Sequence, residues 1–529
     1  MPDPLVAGVA RSARTRSVSR PETELKLAVA PADLARLARH PALATTTVPV
    51  RRQRLRAVYY DTPGHDLWRQ GIALRVRREG GRWVQTVKHG GEVAGGLHRR
   101  GEEETVLRHA QPDLDAITTP ELAAVFSAPA LRAALAPVFT TDFIRVTRVV
   151  QPATGLVIEV AFDRGTVAAG GRTEAVCEVE LELRSGPAWR VYELALALGD
   201  AVPVFVDARS KADRGFALAG WPPAAPARAK PSAVRPGMSV SGAFAAVALA
   251  CLTQYQLNQH GLAVSQDIEY LHQARVALRR LRSAFTLFRP AVSRELAASH
   301  LEPLRALARA LGPARDWDVF AVERLPQIAA GCGEAADLRG LVRAVAKRRR
   351  PARTHARRAA LSRSAHRFQL DLAGWLAGQA WLAGAGEAER AHLEAPVAEF
   401  AVAALDDCYR RVRRRGRKFA ALTDSELHEL RIRVKRLRYA VEFLAPLFPA
   451  ARVKPFRDAA VRLQDLLGHL NDAAVASALL DEAVGPQPAG ELRGGRSYVL
   501  GWSAAQAAHA RAGLAAAWRQ LREAAPFWH

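Results

Sequence analysis

Two sets of charged residues, sorted by period-two alternation, carry the first chemical signal in this chain. Glu22 and Glu24 alternate with Thr23 and Leu25, and Glu178, Glu180 and Glu182 repeat that spacing on a later segment. Residues two apart share one face of a strand, so these carboxylates crowd together, which is costly unless cations compensate them. Oxygen donors of this kind suit a hard cation such as Mg²⁺ or Mn²⁺, and all five are candidate metal ligands. Lys26, Arg75, Arg77, Lys88, Arg100, Arg145 and Lys211 lie on or beside segments of the same kind and are suited to hold phosphate oxygens. The pairing of a metal with phosphate-binding cations points to phosphoryl transfer, which needs charge neutralisation and alignment more than a covalent nucleophile. Glu22, Glu24 and Lys26 are the candidate catalytic residues, and a second metal or a carboxylate of the cluster is suited to orient the attacking water. There is no Ser/His/Asp or Cys/His arrangement, and no G-x-x-x-x-G-K-[ST] phosphate loop.

A second constellation is helical. HQARVALRRLR begins at His272 and HELRIRVKRLR at His428, and each is followed by a matching tract, LGPARD ending at Asp316 and LGHLND ending at Asp472. Both offsets are 156 residues, which marks two homologous halves of one structure. On a 3.6-residue period Ala274, Leu278, Leu281, Phe285 and Phe288 form one apolar stripe, and Leu430, Val434, Leu437, Val441 and Leu444 form its copy. Another face collects His272, Arg275, Arg279 and Arg282, matched by His428, Arg431, Lys435 and Arg438. Cations at these spacings repel one another, so a repeated cationic stripe invites an anionic partner.

The elements that position these residues fall into two parts. From Glu22 to about residue 220 roughly eight alternating strands with interspersed helices present charges on one face, and closing them into a barrel gathers those charges in one interior. After Trp221 the run PPAAPARAKPSAVRPG reads as a linker, residues 221–237. From Met238 to residue 529 the chain reads as helices broken at Pro290, Gly312, Gly331 and Pro351. The formal net charge is +24, and residues 1–220 hold 30 Lys+Arg against 25 Asp+Glu, leaving 46 against 27 beyond them. The second part therefore carries the attraction for polyanions: nucleic acid, polyphosphate or an anionic membrane. Cys177, Cys251, Cys332 and Cys408 have no C-x-x-C spacing and read as reduced thiols. No run of about 18 apolar residues spans a membrane. Residues 1–21, basic and without a secretory apolar core, read as a mobile tail of a cytoplasmic protein.

The ordered series Glu22-x-Glu24-x-Lys26, YYDTPG, GIALRVRRE, GGLHRRGEE, EVELELRSG and SKADRGFAL resembles a CYTH domain, the triphosphate tunnel metalloenzyme fold. The resemblance implies an antiparallel barrel forming a tunnel, with metal-dependent hydrolysis of a triphosphate. Carried over by position, Glu22, Glu24, Glu180 and Glu182, with Glu178 a further candidate, bind metal, and Lys26, Arg75, Arg77, Lys88, Arg100, Arg145 and Lys211 clamp substrate. HRRGEEE carries an acid where the family more often has an aromatic residue, which leaves the register of that strand open. His272 and His428 with their downstream cations resemble the CHAD domain, a conserved-histidine α-helical domain of two pseudo-symmetric bundles. That resemblance implies binding of inorganic polyphosphate by His272, Arg275, Arg279, Arg282, His428, Arg431, Lys435 and Arg438, and association with polyphosphate granules. Asp316 and Asp472 would orient these cations, and Asn471 replaces Arg315 in the second half.

The fold expected is thus multidomain α and β: an antiparallel β-barrel tunnel with helices at 22–220, then an all-α pair of pseudo-symmetric bundles at 238–529. The function expected is that of an inorganic triphosphatase with a polyphosphate-binding module. A nucleoside triphosphate or thiamine triphosphate stays open as substrate. A non-catalytic polyphosphate-binding protein on granules is the competing reading. Nucleic acid is disfavoured, since no nucleic-acid motif or aromatic stacking series accompanies the basic tracts.

Overall fold

The computed structural model describes residues 18–46, 48–221, 225–333 and 337–529. The expected tail lies outside these residues up to position 17. The chain divides into two compact units, Met1–Pro223 and Ala224–His529.

The first unit is built on nine strands: β1 (Val18–Val29), β2 (Arg51–Asp61), β3 (Ala73–Glu79), β4 (Arg82–Ala94), β5 (Leu97–Leu107), β6 (Ala136–Ala153), β7 (Leu156–Ala169), β8 (Arg172–Ser185) and β9 (Val204–Val206). Their order is β5-β4-β3-β2-β6-β7-β8-β1-β9, and a further β5–β1 pairing closes β1 to β8 into an eight-stranded antiparallel barrel. Strand alternation sends the apolar positions outward. Leu25, Leu27, Ile158, Val160, Val179 and Leu181 are all fully buried there, and the helix Arg190–Ala201 packs on β8, burying Val191, Tyr192 and Leu194. The charged positions consequently face inward. A separate apolar cluster of Tyr59, Phe139, Phe216 and Trp221 packs around the short helix Lys211–Leu218. Phe216 stacks on Trp221 at 4.2 Å and meets Phe139 edge-on at 5.0 Å.

The second unit is helical. The repeated segments are the helices Ile268–Leu287 and Asp424–Leu444, preceded by Val240–Val264 and Val397–Arg415 respectively. Thr423 and Glu426 form a capping box at the start of the second repeat. Both apolar stripes read from the sequence are buried, with nine of their ten residues at 0% exposure and Phe285 at 7%. The most apolar window of Val240–Val264 has membrane-like hydropathy, yet 67% of it is buried inside the unit.

Two expected breaks are absent. The helix Arg339–Ala360 runs through Pro351, and Leu325–Cys332 contains Gly331. Pro351 lies on the exposed side of the helix, where the hydrogen bond it removes costs least.

Candidate functional site

Cross-strand register brings the barrel's charges together. Directly opposed residues share a face, and the pairs Glu24↔Glu182, Lys26↔Glu180, Ala28↔Glu178, Asp163↔Glu178 and Arg145↔Asp163 run across β1, β8, β7 and β6. On the other side Glu22 opposes Arg100, and Lys88 opposes Glu102.

The carboxylates differ in how well protein cations compensate them, and burial keeps Glu178 raised despite Lys211 and Arg214 beside it. Asp163, Glu178 and Glu180 bring oxygens within 4.8 Å of one another. The Lys211 ammonium sits among them, 2.6 Å from Asp163, 2.9 Å from Glu180 and in contact with Glu178. Arg145 bridges Asp163, at 2.6 Å, and Glu180, while Arg214 donates to Glu178 at 3.2 Å. Burial pushes Glu180 up, but Lys211 and Arg145 outweigh it and hold its carboxyl far below the usual range. Lys211 is correspondingly held well above the usual lysine range, against its burial, by the three carboxylates.

Glu182 and Glu22 are undercompensated. Burial raises Glu182 to about 8, and Glu22, Glu159 and Glu24 add to the shift, with Arg184 at 2.7 Å the opposing cation. Burial also raises Glu22 against the pull of Lys88, 2.5 Å away. Glu24 is buried too, yet contact with Lys26 holds it down at about 2. Glu22 and Glu182 are thus left short of positive charge, a deficit that a hard divalent cation would offset, while the carboxylates whose oxygens converge closely enough for one ion are, among the described residues, Asp163, Glu178 and Glu180.

The remaining expected cations line the same interior. Arg75 lies 3.6 Å from Glu102, Arg77 lies 3.5 Å from Glu104, and Lys88 lies 3.4 Å from Glu102. Arg100 bonds His98 at 3.1 Å, and burial with Lys26 and Arg100 beside it lowers His98 to about 3. Asp163, Glu102, Glu104, Glu159 and Arg214 were missed in the sequence. The extra acids of HRRGEEE resolve by alternation: Glu102 and Glu104 face the cations, while Glu103 turns away and accepts from the backbone N–H groups of Thr118, 2.6 Å, and Thr119, 3.0 Å.

In the helical unit the two repeats meet. Arg279 donates to the Tyr439 hydroxyl at 2.6 Å across the pair. Burial, then repulsion from Arg431 and Arg279, lowers Lys435 to about 7, and burial followed by Arg279 lowers Arg431. Arg275 is lowered by burial against the pull of Asp316. Arg275, Arg279, Arg431 and Lys435 thus form one field of mutually repelling cations. His272, half-buried beside Arg315, is lowered to about 4 and is neutral at pH 7, whereas His428 is exposed. Arg282 faces Arg305, Arg436 and Arg309 instead, and Arg438 is engaged by Gln464 at 2.8 Å and Glu442 at 3.6 Å. Asp472 pairs with Arg324 of the first half.

The chain matches the CYTH domain family over residues 20–216 and the CHAD domain family over residues 246–481. It holds a CYTH domain followed by a CHAD domain. An inorganic triphosphatase of Haemophilus influenzae is 33% identical over 199 residues, 37% of this chain and 54% of that protein. The match therefore spans about half the length of that relative. An uncharacterised protein of Mycobacterium tuberculosis is 29% identical over 475 residues, 83% of this chain and 84% of the relative, so the similarity extends through both domains. The crystal structure of the CHAD domain from the plant Ricinus communis is 30% identical, with a TM-score of 0.49, over 57% of this chain and 97% of that one.

Proposed function

We propose that the CYTH domain hydrolyses inorganic triphosphate with Mg²⁺ or Mn²⁺, and that the CHAD domain binds inorganic polyphosphate and brings the enzyme to polyphosphate granules in the cytoplasm. The observation that carries the reading is the barrel interior, where carboxylates, Glu22 and Glu182 among them short of charge, share one space with lysines and arginines. Glu22, Glu24 and Glu182 would hold the metal, with Glu180 and Glu178 beside them. When bound, the ion would supply charge neutralisation at the phosphate oxygens and polarise them toward attack.

The chain's own residues do the rest. Lys26, Arg75, Arg77, Lys88, Arg100, Arg145 and Lys211 bind and align the triphosphate, which draws the cations away from the carboxylates they now neutralise. A carboxylate of the cluster orients a water for in-line attack on the terminal phosphorus. The P–O–P bond breaks, diphosphate leaves with the bridging oxygen, and the proton of the water passes to the solvent-connected carboxylates. The absence of a covalent nucleophile among these side chains accords with direct attack by water. In the CHAD domain, the crowded cations Arg275, Arg279, Arg431 and Lys435 gain most from a polyanion, since each is held close to like charge in its absence.

Phosphate release from tripolyphosphate by the full chain, with Mg²⁺ or Mn²⁺, tests the catalytic half. Glu24→Ala and Lys26→Ala are each expected to lower the rate at least about a hundredfold. No release from tripolyphosphate, thiamine triphosphate or a nucleoside triphosphate would remove the enzymatic reading.

A further inference from the structure

A cleft of about 1260 Å³ opens within the CHAD domain. The C-terminal half of Ile268–Leu287 and the loop after it form one wall, and Val397–Arg415 with Asp424–Leu444 form the other. The floor is apolar, from Phe285, Leu287, Val292, Phe400, Ala404 and Ile432, and Ile432 is 39% exposed. The lining carries seven arginines against three carboxylates, Glu399, Asp407 and Glu429. Arg411 and Arg433 are paired with Asp407, at 2.7 Å, and Glu429, at 3.5 Å. Arg282, Arg289, Arg294 and Arg436 also line the cleft and take no carboxylate partner among the described residues.

The internal repeat supplies a comparison within the molecule. Arg280 stands 156 residues before Arg436. It is buried at 3% exposure, donates to Gln254 at 2.9 Å and pairs with Glu442 at 2.8 Å. The same arginine is thus used for packing in the first half and left free, over an apolar floor, in the second.

We propose that this cleft binds an anionic amphiphile, a phosphate monoester carrying an alkyl body. Guanidinium groups take phosphate oxygens bidentately, and an alkyl chain covers the floor that water now reaches at Ile432. A chain of inorganic phosphate would gain nothing from that floor. A nucleotide base would find no open ring to stack on, since Phe285 and Phe400 are 7% and 8% exposed.

Titration calorimetry of the full chain with dodecyl phosphate, kept below its micelle concentration, tests the assignment. Saturable binding is expected, strengthening from octyl to dodecyl phosphate by up to about fourfold per buried methylene. It weakens at least about tenfold in Arg289→Gln/Arg436→Gln, two exposed arginines whose unchanged thermal unfolding midpoint reports an intact fold. Ala404→Leu, which fills the floor, weakens dodecyl phosphate more than it weakens octyl phosphate. The proposal is overturned by absence of dodecyl phosphate binding, by equal affinity for octyl and dodecyl phosphate, by equally tight dodecyl maltoside, or by full affinity in the arginine variant.

Discussion

Lys211 and Lys435 are both lysines in crowded charged surroundings, and their opposite displacements separate the two sites. Lys211 is 6% exposed among three carboxylates. Lys211→Met leaves those carboxylates short of charge, and breaking a buried ionic cluster in this way costs about 3–5 kcal/mol at pH 7. In the intact protein Glu180 is held low, so its contribution is present above the unfolded carboxylate value and lost as pH falls through the folded one. In the variant the carboxylates take up protons more readily. The stability deficit measured by urea unfolding should therefore be smaller at pH 5 than at pH 7. Lys435 is displaced the other way, to about 7, and carries its full charge only below that value. A bound polyanion restores the charge, so polyphosphate binding at pH 8 should take up protons. Calorimetry in buffers of different ionisation enthalpy measures that uptake, and Lys435→Arg should abolish it because arginine stays protonated.

At the scale of elements, two close packings set the geometry. The helix Lys211–Leu218 holds its first lysine in the barrel through a capping box from Ser210 and Asp213. Its Gly215 lies so close to the barrel wall that an added Cβ would fall 2.2 Å from the Phe139 ring. Gly215→Ala should displace the helix, lower barrel stability by about 1–3 kcal/mol through overpacking, and reduce phosphate release with it. In the CHAD domain the repeated helices are equivalent through their buried leucines. Leu281 and Leu437 are 156 residues apart and both fully buried. Leu281→Ala and Leu437→Ala should each cost about 2–5 kcal/mol. Unequal costs in denaturant unfolding would locate where packing departs from the repeat, as it does at Arg280 and Arg436.

For the whole molecule, the two domains call for opposite responses to metal removal. EDTA should abolish phosphate release and leave polyphosphate capture by the CHAD domain unchanged, while rising salt should weaken capture as polyanion contacts are screened. Loss of capture on chelation would move the metal to the wrong domain. The order of the domains, the inward charge of the barrel strands and the paired helical stripes were all legible in the amino-acid sequence, because alternation and repetition are properties of neighbours along the chain. Glu22, Glu24 and Lys26 could be singled out from five consecutive positions for the same reason. Which carboxylates remain short of charge was decided by tertiary structure alone. Asp163 and Arg145 meet across β6 and β7, Lys211 arrives from a helix after the last long strand, and Glu102 finds Lys88 only through the β4–β5 register. Pairing of that kind depends on which distant segments become neighbours. The sequence alternates Glu178, Glu180 and Glu182 identically, and only the closed barrel gives the first two a lysine and leaves the third protonated near neutrality.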